Sequence, residues 1–443
     1  MAATALRESG IDRRELRRVA FSSLLGTAME WYDYFLYGLF AALVFNKLFF
    51  PNFDPAVGTI LSLLSFGVGF IARPIGAAIF GHLGDKIGRK KTLIVTIAVI
   101  GASTGCIGLL PTYDAIGLWA PLLLAALRFV QGLSLGGEWG GAVLMAVEHA
   151  PRRQRSFYGS MPQLGSPIGT LASSGVVGLV TLLPKDQFMT WGWRLPFLLS
   201  FLMLAIALYI RLRVDESPVF KKLETQKEVV RMPLVELFRR SGGRVAIVVF
   251  MSLFASGGFF LMTTFAVNYG TTVLKMASWT LLLATMLGAV IEGILIFVGG
   301  MLADRFQPWK IVAWGGAACL VLILPIVSMV GSGNPLLAVA GIALGIGMLG
   351  FPYGPIGTLL SQLFSDEYRY SGVAVSYNIA GLIGGFVPSL ALVVSTTMHG
   401  SVWSIGILLS VIMVMTALGG AVSGSILRRQ SSQVVGQRLA SER

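Results

Sequence analysis

The sequence predicts an all-α polytopic membrane protein, with twelve transmembrane helices in two pseudo-symmetric six-helix bundles. Three observations carry that prediction. The 443 residues are 55% hydrophobic and only 12% charged, against about 25% charged in soluble domains, and mean hydropathy is +0.77. Apolar runs of about 20 residues, the length that crosses a bilayer core, recur between polar or Gly/Pro-rich stretches. A short sequence echo recurs 219 residues downstream, close to half the chain.

The runs fall near 20–45, 57–80, 92–111, 119–147, 157–183, 194–212, 245–270, 279–302, 310–330, 336–363, 373–396 and 402–426. Those at 119–147 and 336–363 are expected to include interfacial turns. The division that follows is a tail over 1–19, a bundle over 20–212, a linker over 213–243, a second bundle over 244–427 and a tail over 428–443. The first run holds Glu30 and Asp33 and has no small-residue cleavage site, so it reads as a retained span rather than a signal peptide.

Orientation follows from Lys and Arg. Alternate connections, with both tails, hold 28 of the 34 basic residues, and the opposite set holds only Lys47, Lys185, Arg194 and Lys275. By the positive-inside rule both termini are cytoplasmic, and the expected location is a bacterial inner membrane. The net charge of +13 is then a topology signal rather than a nucleic-acid footprint. Two cysteines and three scattered histidines offer no metal cluster. No G-x-x-x-x-G-K-[ST] loop is present, so the expected driving force is an ion gradient, with no cofactor. A membrane enzyme would show a catalytic cluster and a sensor an output domain, and neither pattern is evident.

The segment Met29-Glu30-Trp31-Tyr32-Asp33-Tyr34-Phe35-Leu36-Tyr37-Gly38 stands out. At the centre of a membrane helix each ionised group costs roughly 2.5–3.5 kcal/mol, and this run keeps two, one turn apart. Asp33 is about 13 residues up the first run and Arg128 about nine down the fourth, comparable depths in a core about 30 Å thick. An Asp opposed by an Arg in low dielectric stays ionised, and moving the Arg away lets it take a proton. That pair is either a proton switch or a static brace. Glu30 and Glu138 also share a depth, with Arg73 nearer the cytoplasmic end. The three make either a network rearranged by an anionic substrate, through the bidentate fork of Arg73, or a permanent brace.

Trp31, Tyr34, Tyr37 and Trp139, with the neutral polar Gln131, Gln163, Asn268, Tyr353 and Asn378, are candidates to line a substrate cavity. Interhelical packing and hydrogen bonding compete for each of them. Glu292 is the one acid inside a second-half run. Shifting Glu30 and Asp33 by 219 gives Val249 and Ser252, so proton chemistry is expected in the first half, with Glu292 a gate or coupling residue. Pro162, Pro167, Pro352 and Pro355 mark expected bends.

Gly81-His82-Leu83-Gly84-Asp85-Lys86 and its echo Gly300-Met301-Leu302-Ala303-Asp304-Arg305 follow equivalent runs. With Gly88, Arg89, Lys90 and Lys91, the first copy resembles the signature loop of the major facilitator superfamily. Arg128-Phe129-Val130-Gln131-Gly132 is similar to that superfamily's fourth-span motif. Glu30-Trp31-Tyr32-Asp33-Tyr34, Arg73-Pro74-Ile75-Gly76 and Gly136-Gly137-Glu138-Trp139-Gly140 resemble its metabolite:proton symporter branch, which carries shikimate, 2-oxoglutarate, citrate and proline/betaine. Residues 42–51 look closest to shikimate-type members. The resemblance spans about 20–428. It implies the major facilitator fold, alternating access around one central site, Asp33 and Arg128 as the proton pair, and Gly81, Asp85, Gly88 and Arg89 as a gate. Asp304 is the second-half counterpart, but Gln307 and Pro308 replace Gly88 and Arg89 there, which puts its gating in doubt. The short tail departs from the coiled-coil tail of osmosensing carriers.

The resulting expectation is a monomeric proton-coupled symporter importing a small carboxylate-bearing metabolite, with H⁺, an organic acid and the lipid bilayer as partners. The alternatives are a zwitterionic osmolyte carrier and an uncoupled facilitator.

Overall fold

The computed structural model describes residues 13–52, 55–226, 228 and 230–441. Arg7, Lys227 and Arg443, counted above among the basic residues, lie outside the described residues, as do the rest of the tail through residue 12 and the side chains beyond 433.

Among the described residues the regular structure is helical; the longer helices group into twelve segments, with short helical turns between them. The first six are α1 (Arg13–Phe40), α2 (Pro55–Ile87), α3 (Arg89–Leu109), α4 (Trp119–His149), α5 (Gly165–Val180) and α6 (Arg194–Leu212). Then come α7 (Pro233–Met251, continued through π-turns to Thr272), α8 (Ser278–Phe306) and α9 (Pro308–Val330). The last three are α10 (Pro335–Met348 with Gly350–Leu363), α11 (Arg369–Gly385 with Val387–Thr397) and α12 (Trp403–Ser441). Nine of the described segments are long and apolar enough to cross a membrane. Their exposed faces are rich in Leu, Ile, Val and Phe, as lipid contact requires.

Two compact units emerge, one from residues 1–151 and 161–234, the other from 152–160 and 235–443. In the first, α2 packs on α4, α3 on α6, and α1 on α5; in the second, α8 packs on α10 and α9 on α12. The pairings α2/α4 and α3/α6 thus recur as α8/α10 and α9/α12, as an internal repeat demands.

Glycine sets the closest crossings. A methyl at Gly132 would overlap the Gly69 carbonyl, one at Gly136 the Arg73 carbonyl, and one at Gly76 the Leu133 carbonyl, so α2 and α4 meet backbone to backbone. In the second unit Gly350 and Gly354 bring α10 equally close to the α8 carbonyls of Glu292 and Ile296. Small residues at four-residue spacing are the standard means of close helix approach in lipid, where van der Waals contact replaces the hydrophobic drive.

Some details differ from the sequence reading. The 119–147 run has no interfacial turn, because α4 is continuous for 31 residues and spends its glycines on packing. The 336–363 run bends at Leu349, within the run rather than at an interface. The linker is partly helical. Ser217 caps a short helix, Pro218–Thr225, accepting from the Val219 and Phe220 N–H groups, with Pro at the first position as such starts favour. A second helical stretch begins at Pro233 and breaks at Ser241 (φ −136, ψ 20) before α7 continues.

The repeat is also visible in one backbone angle. Gly88 (φ 112, ψ 153) opens α3, and Gln307 (φ 76, ψ 139), at the equivalent position 219 residues on, opens α9. The second copy keeps the turn without the glycine that suits it. Non-glycine residues in such regions cost about 1–3 kcal/mol. Gln307→Gly should therefore raise the melting temperature of the detergent-solubilised protein, the entropy cost of Gly taking back under about 1 kcal/mol. Gly88→Ala should lower it, because the added methyl would also overlap the Glu216 carboxylate. Differential scanning fluorimetry of both variants checks the pair.

Candidate functional site

Among the described residues of the first unit, three buried ion pairs join helices two by two, apart from the Arg89 cluster described below. Asp33, 1% exposed on α1, accepts from Arg128 Nη1 of α4 at 2.8 Å. Arg128 Nη1 also donates to Gln131 Oε1 at 2.5 Å, one turn along α4. Gln131 Nε2 donates to Thr104 Oγ1 at 2.6 Å, and Thr104 Oγ1 lies 3.0 Å from Asp33 Oδ1 and 2.8 Å from the Ile100 carbonyl. Asp33, Arg128, Gln131 and Thr104 thus close a polar ring across α1, α3 and α4. The Arg128 guanidinium sits 4.4 Å from the centre of the Tyr37 ring, a cation–π contact, and the Tyr37 hydroxyl is 2.7 Å from Ser65 Oγ. The sequence pattern brought Asp33, Arg128, Gln131 and Tyr37 forward; Thr104 and Ser65 were missed, since serine and threonine are common in membrane helices.

The second pair is Glu30 with Arg73 Nη2, at 2.5 Å. The Glu30 side chain is 4% exposed and that of Arg73 15%, against 2% for Arg128 and 3% for the third pair's Arg211. Arg73 is therefore the most accessible cation of the three. Only one oxygen of Glu30 takes part; among the described residues its Oε2 is buried without a hydrogen bond.

The third pair departs from the expected Glu30–Glu138–Arg73 network. Glu138 Oε1 instead accepts from Arg211 Nη1 at 2.7 Å, and its Oε2 from Thr96 at 2.6 Å. Arg211 also donates to the Leu93 carbonyl at 3.1 Å, the Ser22 carbonyl at 3.1 Å and Ser22 Oγ at 3.2 Å. The sequence reading grouped Arg211 with the basic connections. Its place within the 194–212 run was the available signal, and α6 does carry it inward. The space is made by Gly26, where a methyl would overlap Glu138 Oε1.

Toward one end of the same unit, Arg89 is fully buried, 3.4 Å from Asp85 and 3.6 Å from Glu148. Glu216 Oε1 accepts from the Arg89 and Lys90 backbone N–H groups at 3.0 and 3.1 Å, an anion at a helix N-terminus as the macrodipole favours. Ser217 Oγ donates to Glu148 in a short contact. Gly81 is buried near the end of α2. Glu148, Glu216 and Ser217 escaped the sequence reading, because polar residues at the end of a run or in a linker look like solvated surface. In the second unit Asp304 accepts from the Ser156 and Phe157 backbone N–H groups at 2.7 and 3.0 Å, and Glu292 is buried on α8.

The aromatic and amide candidates divide. Trp31 and Tyr34 form an edge contact at 5.7 Å, with Phe35 and Phe70 packed around them. Trp139 and Gln163 are buried in the first unit. In the second, the Tyr353 hydroxyl meets that of Tyr377 at 3.0 Å, Asn378 donates back to the Ala374 carbonyl at 2.8 Å, and Asn268 is exposed.

Three desolvated ion pairs in one helical unit are poor investments in stability, since burying each charge costs several kcal/mol. Ionisable residues inside a multi-pass helical bundle are the pattern of a membrane transporter. The comparisons agree. A model of the Major Facilitator Superfamily matches residues 23–388. The Escherichia coli K12 inner membrane metabolite transport protein YhjE is 43% identical over 376 residues, 84% of this chain and 86% of its own. The E. coli K12 shikimate transporter is 36% identical over 424 residues (93% and 96%), and the E. coli K12 proline/betaine transporter 35% over 399 (86% and 78%). Among solved structures, the chain is similar in fold to the proton:xylose symporter XylE of E. coli bound to 6-bromo-6-deoxy-D-glucose. That match has a TM-score of 0.75 at 17% identity and covers 94% of this chain and 96% of that one. The chain belongs to the major facilitator superfamily.

Because each pair is enclosed, removing one partner strands a buried charge, at about 3–5 kcal/mol. Asp33→Ala should lower thermal stability strongly, and Asp33→Asn with Arg128→Gln together should recover most of it. Unfolding of the single and double variants in one detergent measures the coupling.

Proposed function

We propose that this protein is a proton-coupled symporter that imports a small carboxylate-bearing metabolite, shikimate-like or dicarboxylate-like, by alternating access. The observation that carries this reading is the closed ring around Asp33. While Arg128 donates to it, Asp33 is held as a carboxylate; when Arg128 turns to another partner, the buried charge loses its compensation and is best neutralised by a proton. Gln131 and Tyr37 supply Arg128 with alternative contacts, so it can move without being abandoned.

Arg73 is the group to which the substrate carboxylate is assigned. It is more exposed than Arg128 and Arg211, and a substrate carboxylate can meet its guanidinium with two oxygens where Glu30 uses one. Displacement from Arg73 would leave Glu30 uncompensated and favour its protonation, which ties substrate binding to proton uptake. Glu138, held by Arg211 and Thr96, is a second coupling position. Trp31 and Tyr34 are suited to cover an apolar ring face, and Tyr353, Asn378, Asn268, Gln163 and Trp139 to hold polar substrate atoms. Gly81, Asp85, Gly88, Arg89, Asp304 and Glu292 serve gating. The basic connections face the cytoplasm of a bacterial inner membrane, with both tails and the 213–243 linker inside and bundles over 20–212 and 244–427. A zwitterionic osmolyte is the second reading, favoured by the opposite charges that Glu30 and Arg73 set side by side and by the named proline/betaine relative.

Uptake into proteoliposomes tests this, with shikimate, dicarboxylates and betaine presented with and without an inward proton gradient. Accumulation of an organic acid only with the gradient is expected; uptake indifferent to the gradient for every substrate would sink the symport reading. Asp33→Asn should abolish gradient-driven accumulation while retaining counterflow exchange, and full accumulation by that variant would remove Asp33 from the mechanism.

A further inference from the structure

The second unit has a groove of about 1120 Å³ that no transport step above uses. Its walls are the start of α9 at Pro308 and Trp309, the end of α10 at Gln362, the start of α11 at Arg369, and the far part of α12 at Leu427 and Arg428. The volume is just above the range of small-molecule sites, about 300–1,000 Å³, and the groove is open rather than enclosed.

Depth identifies what it faces. Arg428 lies 25 residues beyond Trp403, where α12 begins, or about 38 Å along a straight helix. That exceeds the roughly 30 Å hydrocarbon core, so Arg428 stands at headgroup level. Trp309 is the second residue of α9, a 23-residue helix long enough to span, and thus sits at the same kind of boundary, where tryptophan is enriched.

Charge gives the rest. The Arg428 guanidinium lies 4.7 Å from the centre of the Trp309 ring and Lys310 Nζ lies 5.6 Å from it. Arg369 pairs with Asp366 in a short contact. Among the described residues Arg428 makes no ion pair. Three cations against one acid, around a tryptophan at the membrane boundary, leave the groove positive. Basic pockets between membrane helices at this level hold anionic headgroups.

We infer that this groove binds the headgroup of an anionic phospholipid, phosphatidylglycerol or cardiolipin, with Arg428 and Arg369 on the phosphate and the acyl chains against the apolar faces of α9 and α12. The phosphate would accept from both guanidinium forks, while Trp309 covers the glycerol and holds Arg428 in place.

The test is native mass spectrometry of the full-length protein, released from micelles after exchange against equal phosphatidylglycerol and phosphatidylcholine. The wild type should retain phosphatidylglycerol in preference. Arg369→Gln with Arg428→Gln should lower its occupancy by about tenfold, and the double Lys variant, which keeps the charge, should retain most of it. Circular dichroism and elution volume confirm that each variant is folded. Equal retention of the two lipids by the wild type would overturn the inference, as would undiminished phosphatidylglycerol in the double Gln variant. Displacement of the lipid by millimolar inorganic phosphate would also overturn it, assigning the groove to a free anion.

Discussion

The Asp33–Arg128 pair constrains much of the first unit. An aspartate buried in the middle of a bundle survives there only if every oxygen has a partner, and the neighbouring helices are arranged accordingly. Arg128 comes from α4, Thr104 from α3, and Gln131 from one turn further along α4. Only replacement of the whole set by apolar residues of similar volume would spare the packing, because removing one member strands the others. What would be lost is the buried charge itself, which a hydrophobic core cannot offer.

Holding that charge in register requires close helix approach, and the glycines supply it. Gly132 and Gly136 bring α4 against α2 so tightly that Arg73 and Arg128 leave a single backbone contact in different directions, one toward Glu30 and the other toward Asp33. Gly26 plays the same part on α1, its missing side chain leaving room for Glu138. The three ion pairs are separate in partners but share these crossings, so a change in how α1, α2 and α4 meet is felt at all three. The glycine-mediated crossing of α8 and α10 shows that the second unit keeps the packing device while lacking the paired carboxylates.

Most of the architecture was legible in the sequence because membrane spans are written in runs of hydrophobicity. Asp33 and Arg128 were legible for a related reason: an ionised residue inside such a run is rare enough to stand out. The partner of Glu138 was not. Arg211 lies within two residues of the end of its run, where an arginine ordinarily marks a boundary, and nothing in a one-dimensional pattern tells a snorkelling side chain from one that turns inward. The hydroxyls of Thr96 and Thr104 were hidden for the opposite reason, being unremarkable in composition and decisive only through position. The bend at Leu349 and the unbroken course of α4 likewise depend on packing between helices, which periodicity does not encode.

Arg211 has a consequence for the chain that follows it. From that residue the linker does not leave the bundle freely. Val214 is buried against Val19, Leu93 and Met145, the Asp215 N–H donates to Glu15 at 2.7 Å, Glu216 caps α3, and Phe220 lies beneath the Arg89 guanidinium at 5.2 Å. The connection from Val214 to Phe220 is therefore bolted to the same unit that holds the ion pairs. A stretch that composition marks as solvated linker is thus part of the first unit's framework.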